Sequence, residues 1–134
     1  MEGNIEKNAL RIVAGTFDGE NMWGDDSKIY PVPHNYASKS KLVEGDTLKL
    51  YVQPDGKFIF KQTKPVERKS ALGVITTEMN VQTDSGLYKV LMASMTFFRA
   101  RPGDEAMIVL PVYGSPTWAA LENVIKNNNE DLEL

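Results

Sequence analysis

Short runs in which apolar and polar residues alternate dominate the chain, and clusters of turn-forming residues separate them. Alternation places successive side chains on opposite faces of a strand, so each run predicts a β-strand with one buried face. "LRIVAGTF" (10–17), "KIYPVP" (28–33) and "TLKLYV" (47–52) read this way, the last with Leu48, Leu50 and Val52 on one side. "KFIFKQ" continues it as a hairpin over Pro54-Asp55-Gly56. Further along, "SALGVITT" (70–77), "LYKVLM" (87–92) and the more continuously apolar "EAMIVL" (105–110) predict three more strands. The polar stretches "DGENMWGDDS" and "MNVQTDSG" read as turns. In "HNYASKSKLV" and "ASMTFFRARP" the apolar residues do not alternate, which predicts a short helix in each. In "SPTWAALENVIKN" Ser115 suits a cap and Pro116 a first helical turn. Trp118, Leu121, Val124 and Ile125 then form one apolar face, so a C-terminal helix is expected. The last residues, "NNEDLEL", are expected to be frayed and solvated.

This order of elements occurs twice. Displaced by 58 residues, positions 13 to 61 align without a gap on 71 to 119, with nine identities. Gly15 falls on Gly73, Glu20 on Glu78, Asp26-Ser27 on Asp84-Ser85, Tyr30 on Tyr88 and Val32 on Val90. Gly45-Asp46 falls on Gly103-Asp104, and Gly56 on Gly114. The matches sit at turns and strand apolar positions, where a degenerate structural duplication would keep them.

Two strand–strand–helix–Gly-Asp–strand units of this kind resemble the cradle-loop barrels, which include double-psi barrels, RIFT barrels and AbrB-like swapped hairpins. Gly45-Asp46 and Gly103-Asp104 match the dipeptide known in that group as the GD box, and the resemblance spans about residues 10 to 114. It implies a mainly β fold, a pseudo-twofold duplicated barrel of about six to eight strands with short helices, closed here by the C-terminal helix. The chain then reads as a single domain over 1–134, with repeats at about 10–66 and 68–126 and a tail at 127–134. Glycine permits a turn with positive φ and aspartate accepts hydrogen bonds from nearby amides, so both Gly-Asp pairs read as structural turns.

Composition narrows the chemistry. With no cysteine there are no disulfides, thiolate nucleophiles or cysteine metal sites, and a reducing, cytoplasmic setting is expected. The polar, acidic "MEGNIEKN" argues against a secretory signal, and no apolar run approaches the roughly 20 residues of a membrane helix. Phosphate-loop, dinucleotide, nucleophile-elbow and zinc-helix motifs are missing, and His34 is the only histidine. No catalytic residues, metal ligands or cofactors are therefore assigned. "TDSG" (83–86) has the form of an aspartic-protease signature, but it lacks the apolar lead-in strand and is better read as a turn.

The net charge of −3 conceals a balance of +6 over residues 28–101 between flanks of −4 and −5. Lys39, Lys41, Lys61, Lys64, Arg68 and Lys69 lie in that central segment, and cationic side chains beside hydroxyls suit phosphate contacts. The expected function is a non-enzymatic binding module for nucleic acid or a nucleic-acid-associated complex. Where the first repeat has Lys39, Ser40 and Lys41, the second has Phe97, Phe98 and Arg99. An aromatic pair there supports an alternative, a protein-interaction adaptor or homodimer using the Phe97/Phe98 region. A third reading, a small enzyme with paired aspartates, requires Asp46 and Asp104 to share one cleft. A membrane partner is not expected.

Overall fold

The computed structural model describes residues 2–126, with side chains from residue 5 onward. The protein is mainly β. A helix α1 (Glu2–Asn8) leads into strands β1 (Arg11–Phe17), β2 (Asn21–Gly24) and β3 (Ile29–Pro31), helix α2 (His34–Lys39), and strands β4 (Thr47–Val52) and β5 (Phe58–Lys64). The second half repeats the series as β6 (Arg68–Ile75), β7 (Val81–Thr83), β8 (Gly86–Tyr88), α3 (Met92–Phe97), β9 (Glu105–Pro111) and β10 (Ala120–Ile125). None of the described helices is long and apolar enough to cross a membrane.

The strands form two antiparallel five-stranded sheets, ordered β3-β2-β1-β4-β5 and β8-β7-β6-β9-β10. Among the described residues no pairing between strands crosses from one half to the other. The expected single barrel of six to eight strands is therefore corrected to two five-stranded antiparallel sheets. Each has its own core. Phe17, Met22, Leu48, Leu50 and Phe60 pack with Ala37 of α2 in the first half; Ile75, Val81, Ile108, Leu110 and Leu121 pack with Met95 of α3 in the second. A smaller cluster of Val43, Val109 and Ala120, with Val66 against it, joins them.

The helix predicted over 115–127 is also corrected: residues Ala120–Ile125 form the strand β10. A bulge between Leu121 and Asn123 inserts one extra residue, so Leu121 pairs Ile108 and Val124 pairs Ala106. Both side chains consequently reach the same core although they are three positions apart. That spacing imitates one face of a helix. The stretches read as turns hold the short strands β2 and β7, while the short helices fall where expected, at α2 and α3. The frayed tail expected over 128–134 lies outside the described residues.

The displacement of 58 holds for β1 and β4 against β6 and β9: Arg11 pairs Val52 as Lys69 pairs Leu110. It slips in between. Phe17 pairs Met22 but Ile75 pairs Val81, and Trp23 pairs Ile29 while Gln82 pairs Leu87. One turn is thus a residue longer in the second half and the next a residue shorter. Gly15 and Gly73 are needed where these hairpins cross: a Cβ on either would lie 2.5 Å from a backbone carbonyl oxygen, of Trp23 or Gln82. The bend expected at each glycine is a close approach of two backbones.

Candidate nucleic-acid interface

The two Gly-Asp turns set the geometry around the helices. Gly45 and Gly103 have φ of 100° and 93°, and their amides donate to Phe17 and Ile75 carbonyls at 2.8 Å each. Asp46 is fully buried. Its carboxylate accepts from the amides of Val43 (2.8 Å) and Val66 (2.9 Å), from Gln62 Nε2 (2.9 Å) and from Arg68 Nη2 (2.6 Å). Asp104 accepts from the Arg101 amide at 3.0 Å and from Lys126 Nζ at 3.4 Å. Arg68 also caps the carbonyl of Lys41, and Lys126 caps that of Arg99, the residues that end each helix region in the left-handed conformation. Asp46 is thus held by two amides and a cation, and Asp104 by an amide and a cation, an arrangement that stiffens a turn.

Arg68 is engaged by this turn from both ends of its guanidinium, and its Nε donates to Val66 O at 3.2 Å. The other basic residues disperse. Lys61 lies on β5, its Nζ 5.9 Å from the Tyr51 ring centre, and Lys64 is exposed at the end of the same strand. Lys69 lies on β6, at the rim of a different cleft. Only Lys39, in the last turn of α2, and Lys41 just after it share one site.

That site is a cleft of about 450 Å3 between α2 and α3, lined by Asn35, Ser38, Lys39 and Lys41 on one side and Phe97 and Phe98 on the other. Ser94 Oγ donates to Ser38 Oγ at 2.6 Å and ties the two helices together. Phe98 packs toward the second core, and the Phe97 ring stands edge-on to it at 5.1 Å. Phe97 itself is 78% exposed. Lys41 Nζ donates to the Glu122 carbonyl of β10 at 3.3 Å.

The residues behind the two main readings, the lysines and the aromatic pair, therefore border one space. The sequence held a signal for this: Lys39 to Lys41 align on Phe97 to Arg99, and two related helices packed together bring corresponding ends near each other. Elsewhere the candidate chemistry takes structural roles. "TDSG" forms the β7–β8 turn, with Thr83 Oγ1 accepting from the Ser85 and Gly86 amides. His34 is exposed, its Nε2 3.8 Å from a Glu20 carboxylate oxygen. Comparison with family models, curated proteins and solved structures finds no match.

Proposed function

We propose that the protein is a non-enzymatic binding module that takes a single strand of nucleic acid into the cleft between α2 and α3. The observation that carries this reading is the exposed Phe97 ring facing the same cleft as Lys39 and Lys41. A cation pair beside an aromatic face is the minimal equipment for holding a backbone phosphate while stacking a base, without reading base identity. The two lysines supply the phosphate contacts; Phe97 supplies the stacking surface; Asn35 and Ser38 add polar groups along the wall. Asp46 and Asp104 serve the fold, as the amides and cations around them support.

A labelled oligo(dT) or oligo(U) titrated by fluorescence anisotropy tests this. Binding should weaken with salt, with a log–log slope of about −1.4 for two phosphate contacts on a single strand. Lys39→Glu with Lys41→Glu should abolish it, and Phe97→Ser should weaken it by about 1–3 kcal/mol, the worth of one stacked base. Undetectable binding at low salt, or binding indifferent to the lysine pair, rules the reading out. The exposure of Phe97 favours one second reading, a protein adaptor. In that case the cleft would recover a stoichiometric partner that survives nuclease treatment, and Phe97→Ser would lose it.

A further inference from the structure

The second half contains another cleft, and the first half explains what it is for. In the β2–β3 turn, Asp26 organises a small polar cluster: Tyr30 Oη donates a hydrogen bond to Asp26 Oδ2, the Lys28 amide donates to Oδ1 at 3.1 Å, and Arg11 Nη1 of β1 lies 3.7 Å away. The Phe58 ring stands edge-on to Tyr30 at 5.9 Å, beside this cluster. The Tyr30 hydroxyl holds the Asp26 carboxyl below its usual range.

In the second half the donors remain but the acid does not reach them. Lys69 stands on β6 where Arg11 stands on β1, and Tyr88 stands on β8 where Tyr30 stands on β3. The β7–β8 turn is one residue shorter than the β2–β3 turn, and Asp84 makes no hydrogen bond among the described residues. Tyr88 Oη is instead 3.1 Å from Ser85 Oγ. The aromatic neighbour is missing too. Phe58 pairs Val52, but the longer β9–β10 connection means that no β10 residue pairs Leu110, and Ser115 and Pro116 border the opening instead. What results is a cleft of about 330 Å3 lined by Lys69, Ser85, Leu87, Tyr88, Ser115 and Pro116.

We propose that this cleft is a carboxylate-binding site, in which the acid group of a small ligand or acidic peptide side chain takes the place that Asp26 fills in the other half. Tyr88 Oη and Ser85 Oγ donate to the carboxylate, and Lys69 supplies the cation as Arg11 does for Asp26. Leu87, which is exposed at the rim, and Pro116 pack the ligand's aliphatic stem. The site is independent of the α2–α3 cleft and carries a different ligand chemistry.

N-acetyl-glutamic acid α-amide, whose only charge is its side-chain carboxylate, is the probe for an NMR titration of the 15N-labelled protein. Saturable amide shifts are expected at Gly86, Tyr88 and Gly114, with a dissociation constant of about 1–10 mM, typical of a contact this small. The neutral N-acetyl-glutamine α-amide should produce none. Tyr88→Phe, which keeps the ring, and Lys69→Met should each weaken binding by about fivefold or more, one lost hydrogen bond or charge contact. Ser85→Ala provides a second variant should either disturb the spectrum of the free protein. Equal shifts from both probes, shifts centred on Asn35 and Phe97 of the α2–α3 cleft, or no saturation by about 50 mM, several times the weakest affinity expected, would overturn the proposal. So would binding of inorganic phosphate alone in place of the carboxylate.

Discussion

The two halves of this molecule build the same turn with different partners, and the contrast separates what the fold needs from what it leaves free. In the first half Asp46 is sealed beneath Arg68, whose side chain is 29% exposed; in the second Asp104 is held by Lys126, which is 39% exposed and farther off. The amide-to-carboxylate bonds, the left-handed residue before the turn and the paired glycines recur in both. The rims do not recur. Lysines on one helix face phenylalanines on the other, and a closed Asp26–Tyr30 cluster corresponds to an open cleft at Tyr88. The repeated parts are polar and buried, while the unrepeated parts lie at the surface, where a binding function can diverge without unfolding the sheet.

The largest test of that contrast is Asp46→Ala beside Asp104→Ala. Removing Asp46 leaves the Val43 and Val66 amides without their partner and Arg68 with an unbalanced charge, so a loss of about 3–5 kcal/mol is expected. Asp104→Ala should cost about 1–3 kcal/mol, since its cation is looser and wetter. Urea unfolding of both variants measures the difference. Equal losses would mean that the two turns are energetically alike despite their different cations.

Gly15→Ala and Gly73→Ala test the shared part. In each, a methyl group would press on a neighbouring strand's carbonyl oxygen, and about 1–3 kcal/mol should be lost to overpacking. The two losses should match within error, because the obstructing group is the same. A large disparity would show that the hairpin crossing is relaxed in one half.

Lys126→Ala should have a smaller effect, about 0.5–1 kcal/mol and shrinking with added salt, because its side chain is partly solvated. Arg68→Ala should exceed it and be less sensitive to salt, since both carboxylates are buried but Arg68 is the closer cation, 2.6 Å against 3.4 Å, and the less exposed. Thermal melts at two ionic strengths would rank the pair.

Much of this architecture was legible in the sequence because alternation and turn residues report local geometry. "TLKLYV" is β4 in full, "EAMIVL" lies within β9, and the Gly-Asp pairs occupy the turns before them. The strand β10 was hidden because its bulge puts Leu121 and Val124 at helical spacing, and β2 and β7 were hidden because three or four residues among turn formers carry too little periodicity. Which strands pair depends on contacts between distant segments, so a repeat that implied one duplicated barrel instead describes two separate sheets. Of the six basic residues, only Lys39 and Lys41 meet in one cleft. Charge along a chain does not say which cation a buried carboxylate has already engaged, as Asp46 engages Arg68.

The finest comparison is between Tyr30 and Tyr88. The hydrogen bond from Tyr30 lowers the pKa of Asp26 and, together with burial, raises that of Tyr30. A carboxylate with a lowered native pKa stabilises the fold above its unfolded value of about 3.9, and that contribution is lost as pH falls through the native value. A phenol with a raised native pKa stabilises the fold below its unfolded value of about 10, and that contribution is lost as pH rises through the native one. Tyr30→Phe should therefore lower stability most across the plateau between about pH 4 and 10, with the gap to the wild type narrowing on both the acid and alkaline limbs. Tyr88→Phe removes only a hydroxyl–serine contact and should leave the acid limb unchanged. Urea midpoints from pH 2.5 to 11, a range that extends about one unit past both unfolded values, would show this. A gap between Tyr30→Phe and wild type that stays constant on the acid limb would mean that Asp26 and Tyr30 do not share a proton-linked bond, and the template for the carboxylate site in the second half would fall with it.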